Sequence, residues 1–311
     1  QRAFYVEGGS YVASNLAEVQ HSGYDANLHG IYATSDVTIE NNVIRLTENN
    51  PVGIYAGPNS IARNNTIENT SSGGNWAIIA ASGTQILNNT VLNNQNGITL
   101  SSVTQQTLVQ GNVFKLSGGT GIDVSSNSLV RIFNNTLIGN TGGTGLNVYS
   151  NSHPTVHNNI IGNFSSVINA QSEIYDLLYN DVYGNTANFS GPGLPATAGQ
   201  LVTINDKGSP SDIYSNISLY PSFTNTSLND YSLQASSPCI DAGDPAIVDP
   251  DGTVSDIGAY FYDVGRTPYN VKIDTTYDAT IKISWDALVS DSLQGYNVYS
   301  KQSTANDYVY Q

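Results

Sequence analysis

An asparagine pair followed by an aliphatic residue returns along this chain at nearly constant intervals, and no other feature limits the fold as tightly. It appears as Asn41-Asn42-Val43-Ile44, Asn64-Asn65-Thr66-Ile67 and Asn88-Asn89-Thr90-Val91. It continues as Gly111-Asn112-Val113-Phe114, Asn134-Asn135-Thr136-Leu137, Asn158-Asn159-Ile160-Ile161 and Asn180-Asp181-Val182-Tyr183. Counted on the second position, the steps are 23, 24, 23, 23, 24 and 22 residues. A second mark keeps the same period upstream: Gly30-Ile31, Gly53-Ile54, Ala77-Ile78, Gly97-Ile98, Gly121-Ile122, Gly145-Leu146 and Val167-Ile168. Two markers on one period indicate a solenoid of stacked units.

Within each unit the apolar residues alternate. Ile122 and Val124 flank Asp123, Val130 and Ile132 flank Arg131, and Leu137 follows the Asn pair. Period-two alternation predicts half-buried strands, about three to a unit, broken at Gly, Asn and Ser. No unit holds a stretch of helical spacing. Stacking such units gives three parallel sheets around one core, with coils about 4.8 Å apart. Parallel crossovers are right-handed, so the expected fold is all-β, a right-handed single-stranded parallel β-helix. Ile39, Ala62, Ile86, Val109, Ile132, Val156 and Leu178 should form one inward column. Asn42, Asn65, Asn89, Asn112, Asn135 and Asn159 should form a structural ladder. Asn tolerates the left-handed backbone of a tight turn, and its amide can both donate to and accept from the next coil.

Composition narrows the function classes. Only 11% of the 311 residues are charged, the net charge is -15, and Lys and Arg together number ten. No basic stripe is available for nucleic acid, and no 18-residue apolar run for a membrane span. The single cysteine, Cys239, excludes an internal disulfide framework. With no Met in the chain, Gln1 is expected not to be a translational start.

The pattern Gly-Ile … Ile-x-Asn-Asn-Thr-Ile resembles the pectate-lyase-like β-helix repeats of carbohydrate-binding proteins and sugar hydrolases. The stretch from Asn216 through Ser237-Pro238-Cys239-Ile240-Asp241-Ala242-Gly243-Asp244 to Asp256-Ile257-Gly258-Ala259-Tyr260 is similar to the closing segment of many secreted members. The resemblance implies an extracellular or cell-surface location and glycan contact, and leaves open lyase, hydrolase, adhesin or structural protein. On this reading residues 1–29 form an irregular cap or first coil. Residues 30–265 form the β-helix, with clear repeats over 30–185 and closing coils over 200–262. Residues 266–311 resemble the opening strands of a fibronectin type III domain, an incomplete β-sandwich with Trp285 in its core. There the strands Thr280–Asp286 and Gly295–Ser300 are expected to pair, their apolar face covered by further chain or by a neighbouring subunit.

Candidate site residues are sparse. The chain has no adjacent Asp pair, and Asp123 stands alone on the outward side of the Gly-Ile strand, where a hydrolase would need two carboxylates. Tyr32, Tyr55 and Trp76 are candidates for carbohydrate binding, because aromatic faces suit the C–H faces of sugars; packing between coils is the alternative. His21, His29, His153 and His157 show no metal-ligand spacing. Asp249, Asp251 and Asp256, with Asp244, surround a Pro-Gly turn and suggest calcium held by carboxylate oxygens; an Asx-turn loop is the alternative. Of the Asn-x-Ser/Thr sequons, Asn69, Asn163, Asn188 and Asn225 are expected to be accessible for glycosylation. These features favour a non-catalytic surface layer, sheath, filament or adhesin component. It would need no cofactor and would contact a glycan or neighbouring copies of itself, as in a homo-polymer. A polysaccharide lyase or glycoside hydrolase is the alternative.

Overall fold

The computed structural model describes residues 2–19, 28–47, 51–70, 76–263, 269–275, 281–286, 299–300 and 309–310. The repeat becomes a parallel β-solenoid. Its first sheet has nine strands, from Arg2–Val6, His29–Ala33 and Val52–Ala56 through to Ala187–Ser190. The second and third have eight strands each, running from Tyr11–Ala13 to Asp176–Leu178 and from Leu16–Val19 to Asp181–Tyr183. Neighbours in every one of these sheets pair in parallel and lie one coil apart in sequence.

Inward positions stack in register. Ile31, Ile54, Ile78, Ile98, Ile122, Leu146 and Ile168 form one column in the first sheet, each almost fully buried. Burying each such side chain stabilises by about 1.5–3 kcal/mol. The glycine before it permits close approach of coils: a Cβ on Gly121 would stand 2.4 Å from the carbonyl oxygen of Gly145. The second-sheet column runs through Ile39, Ala62, Ile86, Val109, Ile132 and Val156 as expected, then to Leu177 rather than Leu178.

The same one-residue correction applies to the turn. The ladder member of that coil is Asn180, not Asp181. Asn159 donates from its backbone N and its Nδ2 to Asn180 Oδ1, at 3.0 Å each. Asn180 repeats this toward Asn216 Oδ1, at 2.9 and 3.0 Å. The two positions of each pair have separate tasks. Asn41, Asn64, Asn88, Asn134 and Asn158 carry the left-handed backbone, with φ between 50 and 56°. Gly111, Tyr179, Ser14 and Ser215 take that role in the other coils. The following residue faces inward and forms the ladder: Asn15, Asn42, Asn65, Asn89, Asn112, Asn135, Asn159, Asn180 and Asn216. It terminates on Asp212, whose carboxylate accepts Asn216 N and Nδ2, Tyr214 N and Gly199 N.

Of the two alternatives for the N-terminal residues, cap or first coil, residues 2–19 form a first coil, with Asn15 in the ladder. Residues 200–262 do not form closing coils. Ser211 and Ile217 complete one partial coil, with Ile217 bridging Asp181 in parallel. The chain then turns back along the outside of the third sheet. There Val113, Ile138, Ile160 and Tyr183 point outward and form a second apolar core with Ile217, Phe223, Tyr231, Leu233, Cys239 and Ile257. A backbone bond from Gly258 N to Asn158 O and a bond from Ala259 N to the Thr136 side-chain Oγ1 fix this cover.

The chain divides into two compact units, Gln1–Asp249 with Thr253–Tyr262, and Pro250–Gly252 with Asp263–Gln311. In the second, Tyr269–Thr275 pairs antiparallel with Ile281–Asp286, and Tyr299–Ser300 with Val309–Tyr310. The expected pairing of the 280–286 and 295–300 strands falls largely outside the described residues, among which Ile281–Asp286 and Tyr299–Ser300 have the partners just given. Residues 295–298 and the Trp285 side chain lie outside the described residues. Ile283 is 39% exposed within this chain, and its expected cover was further chain or a neighbouring subunit.

Candidate functional site

The outward face of the first sheet carries the aromatic candidates. Tyr5, Tyr32 and Tyr55 occupy one column, with ring centroids 5.7 and 4.5 Å apart and planes within 9° of parallel. His29 meets Tyr32 and Tyr55 edge-on. Stacking along the solenoid axis covers both faces of Tyr32, so sugar C–H faces can reach only ring edges there. Trp76 lies off this column, opposite Asn96, and the column continues through Ile79 and Thr99.

Asp123 follows in that column and is buried. Its Oδ1 accepts from Asn147 Nδ2 at 3.0 Å and its Oδ2 from the Tyr149 hydroxyl at 3.0 Å. Asn169 donates to Asn147 Oδ1 and Gln171 to Asn169 Oδ1. This is a second amide ladder, outside the sheet, and it also ends on a carboxylate.

The second sheet carries the site that sequence reasoning passed over. A groove of about 320 Å³ is lined by Arg131, Phe133, His153, Thr155, His157 and Tyr175, with Asp176 at its edge. The Arg131 guanidinium sits 4.6 Å from the Phe133 ring centroid, a cation–π distance. Phe133 stacks on His157 at 4.9 Å, and His153 on the exposed Tyr175 at 4.7 Å. Two buried polar atoms, Thr155 Oγ1 and His157 Nε2, have no hydrogen-bond partner among the described residues. His157 Nδ1 lies 3.8 Å from Asp244 Oδ2. Burial lowers the His157 pKa, with the positive charge of Arg131 acting the same way and Asp176 and Asp244 opposing. The imidazole is therefore neutral at neutral pH and can donate or accept at Nε2. A polar ligand with apolar faces fits such a lining. The signal was available: Arg131, Thr155 and Asp176 share one outward column, and Phe133 and His157 the next. Seeing it required residue-by-residue register across coils. His21 lies outside the described residues.

The aspartates of the closing segment work as turn clamps. Asp256 Oδ1 accepts from Asp241 N at 2.7 Å and Oδ2 from Tyr262 N at 2.6 Å. Asp249 Oδ2 accepts from Asp256 N at 2.7 Å, and Asp251 is buried. Among the described residues no three His, Cys, Asp or Glu side chains gather as a metal site.

The sequons separate by environment. Asn69, expected to be accessible, is buried and donates to Asn94 Oδ1 at 2.9 Å. Asn163 and Asn188 are half-buried, Asn188 accepting from Asn185 and donating to Ser218. Asn225 is exposed and caps the 3-10 turn Thr226–Leu228. Expressed in a glycosylating host, the chain should carry glycan at Asn225 and none at Asn69, which glycopeptide mass spectrometry reads directly.

Among the described residues no helix is long and apolar enough to cross a membrane. Comparison with curated proteins and with solved structures finds no match. The family described as "Right handed beta helix region" matches residues 3–161, from the first coil to the third strand of the seventh. With that match over half its length and parallel coils throughout it, the chain belongs to the right-handed β-helix family.

Proposed function

We propose that the chain is a non-catalytic, load-bearing β-helix of the cell surface or extracellular space, part of an adhesin, sheath, filament or surface layer. One observation carries this reading: outward charged and amide groups are tied lengthwise from coil to coil. Glu40 holds Arg63 in the next coil and Tyr11 in the previous one. Arg45 lies between Glu18 and Glu68, at 3.4 and 3.8 Å. Asp123 is engaged by Asn147 and Tyr149. Each tie is weak alone, but a series along one axis resists bending and coil separation. The test is twofold. Surface biotinylation of intact source cells should label the protein, and incubation with neutral and uronate polysaccharides should release no new ends. Sustained cleavage, lost in Asp176→Asn or Asp123→Asn, would replace the rod with a polysaccharide-active enzyme.

The groove around Arg131 supports a second reading, in which the rod holds a glycan along its second sheet without cutting it. Arg131→Ala with Tyr175→Ala should then abolish retention on a glycan array while melting stays unchanged. Equal retention by wild type and double variant would remove this reading.

A further inference from the structure

A second cleft lies where the last coil meets the closing segment, beginning at Tyr179 just past the groove strand Asp176–Leu178. It holds about 290 Å³ and is lined by Tyr179, Asn205, Lys207, Ser215, Asp241 and Thr253, with Ala242, Pro245 and Val254 as apolar walls. The turn from Asn205 to Gly208 between the short strands Thr203–Ile204 and Pro210–Ser211 forms one side.

Two polar atoms here are buried without a partner among the described residues: Asn205 Nδ2 and Asp241 Oδ1. Their hydrogen-bonding senses are fixed. Asn205 Oδ1 accepts the backbone N–H groups of Lys207 and Ser209, at 3.1 and 2.9 Å, so the amide cannot flip and Nδ2 must donate. Asp241 Oδ2 accepts Lys207 Nζ at 2.9 Å, leaving Oδ1 as an open acceptor. Asp241 is itself held with φ of 50°, in the left-handed region, and its N–H is clamped by Asp256. Non-glycine residues in that region tend to persist where the surrounding structure fixes them for a task.

We propose that this cleft binds a neutral polyhydroxylated ligand through a vicinal diol, one hydroxyl donating to Asp241 Oδ1 and its neighbour accepting from Asn205 Nδ2. A lone cation would leave the amide donor unmet. An anion would face Asp241 together with Asp206, which also lines the cleft. An adjacent hydroxyl pair satisfies both atoms, and its carbon skeleton meets the Pro245 and Val254 walls. Leaving a buried donor or acceptor unmet is unfavourable, so a ligand lacking either hydroxyl is discriminated against. The site rests on the closing segment and stands independently of the rod and groove readings.

The experiment is an NMR titration of the isotopically labelled 311-residue chain with the methyl glycosides of glucose, galactose and mannose, and with acetamide as a probe carrying a donor and acceptor but no diol. At least one glycoside should give saturable shifts in the millimolar range at the Asn205 side-chain amide and the Gly243 N–H, with acetamide giving none. Asn205→Asp keeps the turn's acceptor and removes the donor, and should weaken binding at least about tenfold. Asp241→Asn should do the same, with unchanged thermal melting showing both variants folded. Saturation by acetamide instead would reassign the cleft to carboxamides. Absence of saturable shifts with all three glycosides, or equal binding by the folded variants, would overturn the proposal.

Discussion

Asn112→Ala is expected to lower the denaturant midpoint with little change in slope, because one rung serves groups in three coils. Asn112 Oδ1 receives both the backbone N and the Nδ2 of Asn89, at 2.9 and 3.0 Å. Its own Nδ2 donates to Ile86 O, Gln110 O and Asn135 Oδ1. Truncation leaves the Asn89 N–H with no acceptor in a dry interior, about 1–3 kcal/mol for that donor alone, and adds a small cavity. Asn112→Asp should be worse than alanine. A carboxylate there would keep the Asn89 bonds but turn acceptor oxygens toward Ile86 O and Asn135 Oδ1, with no amide hydrogens between. At the far end of the ladder the preference reverses. Asp212→Asn should destabilise, because its carboxylate gathers four donors from Asn216, Tyr214 and Gly199, and an amide presents only one accepting oxygen. Equilibrium urea unfolding of the three variants checks the order. An unchanged midpoint in Asn112→Ala would mean that water serves the rung.

One buried carboxyl should contribute stability as pH falls from neutral to about pH 4, opposite to the usual contribution of a carboxylate paired in the folded state. It belongs to Asp181, fully buried beneath the closing segment. Among the described residues its oxygens accept from Leu219 N at 3.0 Å and from the Cys239 thiol at 3.4 Å. Burial pushes its pKa up to about 7, against the partial relief of these two bonds. In the unfolded chain the carboxyl ionises near the ordinary aspartate value. Between that value and 7 the folded state therefore holds a proton that the unfolded state lacks. The contribution is full below the unfolded value and is lost as pH rises through 7. Its slope is about 1.4 kcal/mol per pH unit for one group. Asp256, also buried, is raised to about 7 by desolvation and adds in the same direction. Asp181→Asn keeps the shape without the charge. It should be more stable than wild type at pH 8 and should show a shallower dependence on pH. Parallel pH profiles for the two proteins would defeat the assignment.

The repeat was legible because it obeys local rules. Asn41-Asn42 and its equivalents announce a left-handed residue followed by an inward amide, and alternating Ile and Val announce a half-buried strand. Where a coil departed from the consensus, reading by consensus slipped by one. Asn180-Asp181 looks like Asn158-Asn159, yet Tyr179 takes the left-handed backbone and Asn180 the ladder, so Leu177 rather than Leu178 points inward. A tyrosine with positive φ costs energy that the stack supplies, and no local rule anticipates it. Ser14-Asn15 was missed for the same reason, serine standing where asparagine was expected.

The candidate sites were less legible than the coils. Tyr32 and Tyr55 were correctly placed as stacked neighbours, but which way their rings face depends on the 4.5 Å spacing between them. Asn69 looks like an accessible sequon and is a buried amide paired with Asn94. The groove joins Arg131, His157 and Asp176 from three coils, and no window of sequence contains all three.

By itself, the sequence determined the period, the three strands to a coil, the parallel stacking and the interior asparagine column, because each follows from side-chain alternation and turn chemistry within a single unit. The tertiary structure alone decided the path of residues 200–262. Their sequence is compatible with more coils, but the outward Val113, Ile138, Ile160 and Tyr183 left an apolar stripe on the third sheet. Packing Phe223, Tyr231 and Ile257 on that stripe takes its apolar surface out of water, and it sealed Asp181 and Cys239 beneath the cover.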